Sequence, residues 1–237
     1  MSYQEFSYYY DSLMDPRFYE DYHAFIKEHA SFQEVLDLGC GTGEMAIRFA
    51  KDGKKVLACD LSQDMIEITR EKALENHLDI MVERIDMTDF MLSKQIDCVV
   101  CLCDSLNYVL SKKKVQNVFD NVYEGLKFNG TFIFDVNSLY KCNVILKDYH
   151  EDNHDDDYSF SWDVTSDGKG SIEHHVMIED KENNEKVDEI HLQKSLSVSE
   201  YQKMLKKAGF KNISLYSDFG EYQEECEHVI FVCKKER

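Results

Sequence analysis

The chain has 237 residues, 43% of them hydrophobic and 31% charged, the balance of a globular domain with room for an insertion. One proline and ten glycines exclude collagen-like and low-complexity chains, and a formal charge of −19 argues against nucleic acid or an anionic membrane as partner. The start, Met1 to Glu5, has no export signal and the longest fully apolar stretch is six residues (Cys98 to Cys103), so a cytoplasmic protein with eight reduced thiols is expected.

In chain order, a helical segment over 17–30 precedes a short apolar strand, Val35 to Leu38, and a glycine-rich turn. Met45, Ala46, Phe49 and Ala50 recur at helical spacing over 44–52, and Gly53 closes that helix. A second strand runs from Val56 to Cys59 and ends at Asp60, with Ser62 as N-cap of a helix over 62–75. Ile80 to Ile85 is a third strand. The fourth, Cys98 to Cys103, is almost wholly apolar, as a central parallel strand covered on both faces should be. Its C-x-x-C spacing, Cys98 to Cys101, reads as buried strand thiols rather than a metal or redox pair, because no second pair follows at zinc-site spacing. A helix over 112–126 and a strand from Gly130 to Val136 complete an alternation that predicts a parallel sheet in a three-layer α/β fold.

The pattern then changes. Residues 158–164, 171–179 and 187–195 alternate with period two, joined by Asp167-Gly168 and Glu182-Asn183-Asn184 turns, which predicts a small antiparallel sheet inserted after strand five. A helix over 198–208, stopped by Gly209, and strands over 211–216 and His228 to Cys233 bring the main sheet to seven strands. Residues 151–194 hold 14 acids against 4 Lys or Arg, more than half of the net charge in under a fifth of the chain. Its leading edge, with Asp148, Glu151, Asp152, Asp155, Asp156 and Asp157, lacks the spacing and glycine of an EF-hand and is expected to be a solvated loop.

The turn Asp37-Leu38-Gly39-Cys40-Gly41-Thr42-Gly43 lies where an open parallel sheet binds ligands, beyond the carboxyl ends of its strands. Counted from Gly39, the third glycine of the dinucleotide fingerprint would fall on Glu44. Carboxylates on either side of the turn, Asp37 and Glu44, suit an ammonium or sulfonium better than a pyrophosphate. Asp60 ends the second strand, where an acid can accept hydrogen bonds from both ribose hydroxyls.

At this point the sequence resembles the class I S-adenosylmethionine-dependent methyltransferases. Val35 to Gly43 resembles their first motif, Asp60-Leu61-Ser62 the second, Ile85-Asp86-Met87 the third and Cys103-Asp104-Ser105-Leu106-Asn107-Tyr108 the fourth, and the Ala208-Gly209-Phe210 ending is common among them. The resemblance implies a Rossmann-like fold with the cofactor-binding domain at 35–139 and 195–237. It also implies a helical lid segment at 1–34 and a substrate-side subdomain at 140–194. Gly39 and Gly41, with Cys40 between them, would let the backbone pass under the methionine moiety, and Asp37 would hold its ammonium. Asp60 would bind the ribose, Leu61 would pack on the adenine, and Asp86 with the Met87 amide would meet the adenine edge. Cys103 and Asp104 would stand near the reacting methyl. Taken alone, Asp86 is an ordinary strand-end turn residue; the coincidence of motifs raises it.

Phe6 to Met14 resembles the entry segment of a bacterial subgroup of the family, and Tyr10 is the residue expected to face the sulfonium by cation–π attraction. Methyl transfer is an in-line displacement of a cofactor-borne group, so no catalytic side chain is demanded. Tyr9, Tyr108, Trp162 and His175 are candidates for the acceptor side. The Asn-Pro-Pro-Tyr signature of base and glutamine methylation is absent. A small-molecule acceptor is therefore expected first and a protein side chain second, with no metal, and a homodimer is left open. The acidic insertion favours a cationic or amine acceptor. The alternatives are an NAD-dependent oxidoreductase, disfavoured by the missing glycine, and a non-catalytic cofactor-binding protein that keeps the fold.

Overall fold

Asp15 caps the first helix: its side chain accepts from the Arg17 amide at 2.9 Å, and Pro16, with no N–H to satisfy, takes the first helical position. The computed structural model describes residues 15–154, 158–181 and 185–236. Tyr9, Tyr10 and the expected lid segment ahead of Asp15 lie outside the described residues.

Helix α1 (Pro16–His29) leads into β1 (Glu34–Leu38), α2 (Glu44–Lys51), β2 (Lys55–Asp60), α3 (Gln63–Glu75), β3 (Ile80–Arg84) and β4 (Ile96–Cys101). Then come α4 (Lys112–Gly125), β5 (Leu126–Asn137), the strands β6 (Tyr149–His154), β7 (Tyr158–Ser166), β8 (Ser171–Asp180) and β9 (Glu185–Lys194), and α5 (Val198–Ala208). Strands β10 (Asn212–Ser217), β11 (Gly220–Glu221) and β12 (His228–Lys234) close the chain.

The main sheet has the order β11-β10-β12-β5-β4-β1-β2-β3. Strands β1 to β5 are mutually parallel, and β12 runs antiparallel between β5 and β10. Eight strands replace the expected seven because the chain folds back after β10 into the two-residue β11, pairing Ser217 with Gly220 and Tyr216 with Glu221. Such a hairpin is too short to leave a periodic signal.

Period-two alternation divides the core between two faces. Leu36, Leu38, Val99, Cys101, Phe132 and Phe134 face α4 and α5, while Val35, Cys98, Val100 and Ile133 face α1 to α3. Cys98 and Cys101 therefore point to opposite sides of β4, and the C-x-x-C spacing brings no two sulfurs together. On the first face Phe134 stacks on Phe231 at 4.6 Å, and on the second Tyr22 and Phe25 pack edge-on to Phe219.

The second sheet, β6-β7-β8-β9, is antiparallel throughout. Its first strand corrects the sequence reading: residues 149–154 pair with β7 from Tyr149 against Val164 to His154 against Ser159, and are not a loop. Charge suits an edge strand, which it guards against pairing with other chains. Here Tyr149 packs edge-on to Trp162 at 5.2 Å, while on the other face His150 lies between Asp163 and Asp152. Asn107 ties the two sheets together: its Oδ1 accepts from the Asn137 amide at 2.8 Å and its Nδ2 donates to the Lys194 carbonyl at 2.9 Å.

Candidate active site

Residues 39–43 turn tightly from β1 into α2. Gly39, Gly41 and Gly43 all have left-handed backbones, with φ of 79°, 53° and 84°. The amides of Gly39 and Cys40 both donate to the Cys59 carbonyl, at 2.8 and 2.9 Å, and Thr69 Oγ1 donates to the Gly41 carbonyl at 2.9 Å. A Cβ on Gly39 would lie 2.9 Å from Ser105 Cβ and one on Gly43 2.6 Å from Thr69 Cγ2, whereas one on Gly41 would stand in open space. Two glycines are thus required by packing, and the middle one keeps the floor of the cleft clear.

Acids surround this turn. Asp60 accepts from the Gly41 amide at 3.0 Å through one oxygen and from the Ser62 amide at 2.9 Å through the other. Burial raises its carboxyl, and these amides pull it back. Asp37 is 2% exposed, and no described residue bonds its Oδ2. Burial, with the Asp60 charge behind it, pushes its carboxyl up to about 7. Glu44 departs from expectation. Arg48 at 2.5 Å and Lys72 at 2.8 Å hold its carboxylate, so it braces the first turn of α2 instead of offering charge to a ligand.

Farther along the strand ends, Leu61 is 58% exposed at the mouth of the cleft. Asp86 accepts from the Thr88 amide at 2.8 Å, which holds its carboxyl below the usual range. Cys103 and Asp104 follow β4 with φ of 53° and 50°, a strained pair for non-glycine residues. The Asp104 amide donates to Asp135 Oδ2 at 2.9 Å, and the Ser105 hydroxyl bonds the Leu102 carbonyl at 2.7 Å. Asp135 is fully buried on β5, and burial pushes its carboxyl up to about 6.

One cleft of about 1160 Å³ gathers Asp37, Gly39, Cys40, Gly41, Asp60, Leu61, Asp86, Met87, Cys103 and Asp104. It continues under the inner face of the second sheet, where Glu151, Phe160, Trp162, His174, Val176, His191 and Gln193 line it. Trp162 Nε1 donates to His174 Nδ1 at 3.0 Å, and His174 Nε2 lies 3.2 Å from Gln193 Oε1, which also accepts from Asn137 Nδ2 at 3.0 Å. Gln193 Nε2 in turn donates to Asp104 Oδ2. Tyr108 and Trp162 lie in the cleft as expected, but His175 does not: it faces outward and pairs with Asp188 at 2.7 Å. Its neighbour His174 takes the inward position. Strand parity relative to Trp162 and Val176 is the signal that separates them, and the same parity on β9 points to His191 and Gln193, which sequence reasoning missed.

A methyltransferase-domain family model matches residues 35–130. A Geobacillus protein assigned as a methyltransferase is 34% identical over 99% of this chain and its own full length. The chain belongs to the class I S-adenosylmethionine-dependent methyltransferases. An S-adenosylmethionine-dependent methyltransferase from Clostridium acetobutylicum shares the fold of this methyltransferase with a TM-score of 0.87, at 24% identity and 99% coverage of both chains. CalS10, an amino pentose methyltransferase from Micromonospora echinaspora, superimposes with a TM-score of 0.75 at 17% identity, covering 97% of this chain and 95% of its own. The oxidoreductase alternative finds no support among these relatives.

The methyltransferase's cleft suits its cofactor. The unbonded Asp37 oxygen is a buried acceptor of the kind an ammonium satisfies, and the space a Gly41 Cβ would fill is a cradle for a ligand close to the backbone. Among the described residues, no helix is long and apolar enough to cross a membrane.

Proposed function

We propose that this methyltransferase acts on a small molecule carrying a basic amine, presented by the inner face of the second sheet. One observation carries the reading. The cleft is continuous from the glycine turn to Trp162 and Gln193, and at about 1160 Å³ it exceeds the ~300–1,000 Å³ of an ordinary single-ligand site. Among the described lining residues, the two with a fixed positive charge, Arg84 and Lys114, belong to the Leu61–Asp86 end: Arg84 Nε bonds the Leu61 carbonyl at 2.8 Å, and the Lys114 charge acts on Asp86. The acceptor end carries the acids Glu151 and Asp104 and no Lys or Arg among its described residues. That charge pattern favours a cationic or neutral acceptor over an anionic one, and the amino sugar handled by CalS10 is an acceptor of this class.

The cofactor supplies an activated methyl on a sulfonium, open to in-line attack. The residues of the chain bind and orient. Asp37 would hold the ammonium of the methionine moiety beside the Gly39–Cys40–Gly41 backbone, and Asp60 would hold the ribose hydroxyls. Leu61 would pack on the adenine, Asp86 and the Met87 amide would meet its edge, and Cys103 would stand beside the methionine. With nucleophile and methyl held in line, orientation alone supplies on the order of 7–11 kcal/mol of the barrier.

The test is a transfer assay with tritium-labelled cofactor and a metabolite extract split by charge. Label is expected in the fraction held by a cation exchanger. Label confined to the anionic fraction would remove the amine reading and leave the family assignment standing.

A further inference from the structure

We infer that Asp104 serves the acceptor rather than the cofactor: its carboxylate is the hydrogen-bond anchor for the acceptor's amine, held in place by Gln193. The inference deepens the amine reading and rests on it for the chemistry of the acceptor. Three independent features meet at this residue.

The first is its backbone. Cys103 and Asp104 are consecutive left-handed residues without glycine, and a conformation of this cost persists only where its surroundings impose it. Asp135 imposes it, buried behind the cleft and accepting the Asp104 amide. The side chain of Asp104 is thereby directed away from the sheet and into the cleft it lines.

The second is the donor on its carboxylate. Trp162 Nε1 can only donate, so His174 Nδ1 must accept, and the ring proton sits on Nε2. That proton and Asn137 Nδ2 both point at Gln193 Oε1. The amide of Gln193 can then present only its NH₂ to Asp104, and it does. Three residues from β5, β7 and β8 thus determine which way the amide of Gln193 on β9 faces, and that amide holds one carboxylate oxygen. Burial also lowers the basicity of His174, which favours the neutral ring that the Trp162 bond requires.

The third is what remains. Asp104 Oδ2 carries the Gln193 bond, and no described residue donates to Oδ1. The relay descends from the second sheet, the acceptor's side of the cleft, and not from the turn at 39–43. A carboxylate positioned from the acceptor side, with one oxygen that no described residue bonds, suits a group that donates N–H and carries positive charge. Gln193, His174 and Trp162 act through Asp104 and are positioning residues.

The chain's one tryptophan is Trp162, so intrinsic fluorescence reports on this relay directly. The experiment uses the full chain saturated with S-adenosylhomocysteine and titrates cyclohexylamine and cyclohexanol, a ring-sized amine and its neutral counterpart, against Trp162 emission. Asp104→Asn suits the left-handed backbone that asparagine tolerates, so it removes the charge without the strain. Cyclohexylamine is expected to bind the parent protein saturably and Asp104→Asn at least ~10-fold more weakly, with cyclohexanol indifferent to the change. The calorimetric affinity for S-adenosylhomocysteine should stay within about 3-fold, the spread expected when no bond to the ligand is lost. Gln193→Asn, one methylene too short to reach, should shift Trp162 emission and weaken cyclohexylamine alone. An Asp104→Asn protein that binds cyclohexylamine as the parent does, or that loses the homocysteine nucleoside instead, overturns the assignment. So does a parent protein with no saturable response to cyclohexylamine. These results concern Asp104 alone; the amine reading stands or falls separately, on which charge fraction accepts label.

Discussion

The two ends of the main sheet use the same residue type in opposite ways. At the amino ends of β1 and β4, Glu34 and Asp97 are fully engaged. Lys94 Nζ lies 2.5 Å from Glu34, Lys127 Nζ bridges Glu34 at 3.1 Å and Asp97 at 2.8 Å, and Asp97 Oδ2 accepts the Gln33 and Glu34 amides. Lys94 and Lys127 hold Glu34 below its ordinary value; at Asp97 burial works upward, but Lys127 and the two amides outweigh it. At the carboxyl ends, Asp37 and Asp135 are buried, Asp37 with an oxygen that no described residue bonds, and burial pushes both upward. A buried carboxyl with an unsatisfied oxygen weakens the empty protein, and since Asp37 lines the cleft, its open oxygen marks the end of the sheet reserved for a ligand.

The largest expected effect is at Asp60. Asp60→Ala removes the acceptor for the Gly41 and Ser62 amides together with the proposed ribose contact, so cofactor affinity should fall by ~10-fold to 100-fold. Calorimetry reads this directly, and unchanged affinity would show that the ribose lies elsewhere.

Asp37 separates stability from binding. Its folded value of about 7 lies above the ordinary 3.8, so the native chain keeps a proton that the unfolded chain releases. Its contribution to the cofactor-free protein is complete below about 3.8 and is lost as pH rises through about 7. Binding of a cationic cofactor needs the ionised form and should strengthen over the same interval. Melting curves and calorimetry from pH 5 to 8 should therefore run in opposite directions, on the scale of roughly one pH unit per tenfold in affinity below the midpoint. Asp37→Asn should flatten the melting curve, raise the melting temperature of the free protein at pH 8 and weaken cofactor binding. Parallel pH trends for stability and binding would break the contrast between the two ends of the sheet.

This contrast sets what the sequence could reveal. Val35, Asp37 and the glycines sit at fixed spacing along one strand and turn, so local order exposed that wall of the cleft. The opposite wall is built by Trp162, His174 and Gln193, which the β7–β9 register brings against Asp104 from up to 89 positions away. Nothing local marks Gln193, and choosing His174 over His175 needs the parity of the strand relative to its paired neighbours. Residues 149–154 looked like a loop because charge dominates there, whereas an edge strand carries charge readily once β7 supplies the ladder. Glu44 misled in the converse direction: Arg48 stands one helical turn on and was legible, but the second clamp, Lys72, lies 28 residues away, out of reach of local reasoning.

The amino end of the sheet should answer mutation in stability alone. Asp97→Ala strands two amides and leaves Lys127 with Glu34 alone, a loss of about 1–2 kcal/mol in unfolding free energy by denaturant titration. Because the carboxyl of Asp97 is held low, its contribution is present above the ordinary carboxylate value and fades as pH falls below it. The smallest effect belongs to Lys127→Met. Its ammonium is solvent-screened, so the lost pairs with Glu34 and Asp97 should lower the melting point by less than Asp97→Ala does, and the difference should vanish in 1 M salt. Cofactor affinity should be untouched by either change, since Asp97 and Lys127 lie at the amino ends of β4 and β5, the far side of the sheet from the glycine turn. A cofactor effect from Lys127→Met that also vanished in salt would mean that charge at one end of the sheet is felt at the other through the field, and the division between them would be one of degree.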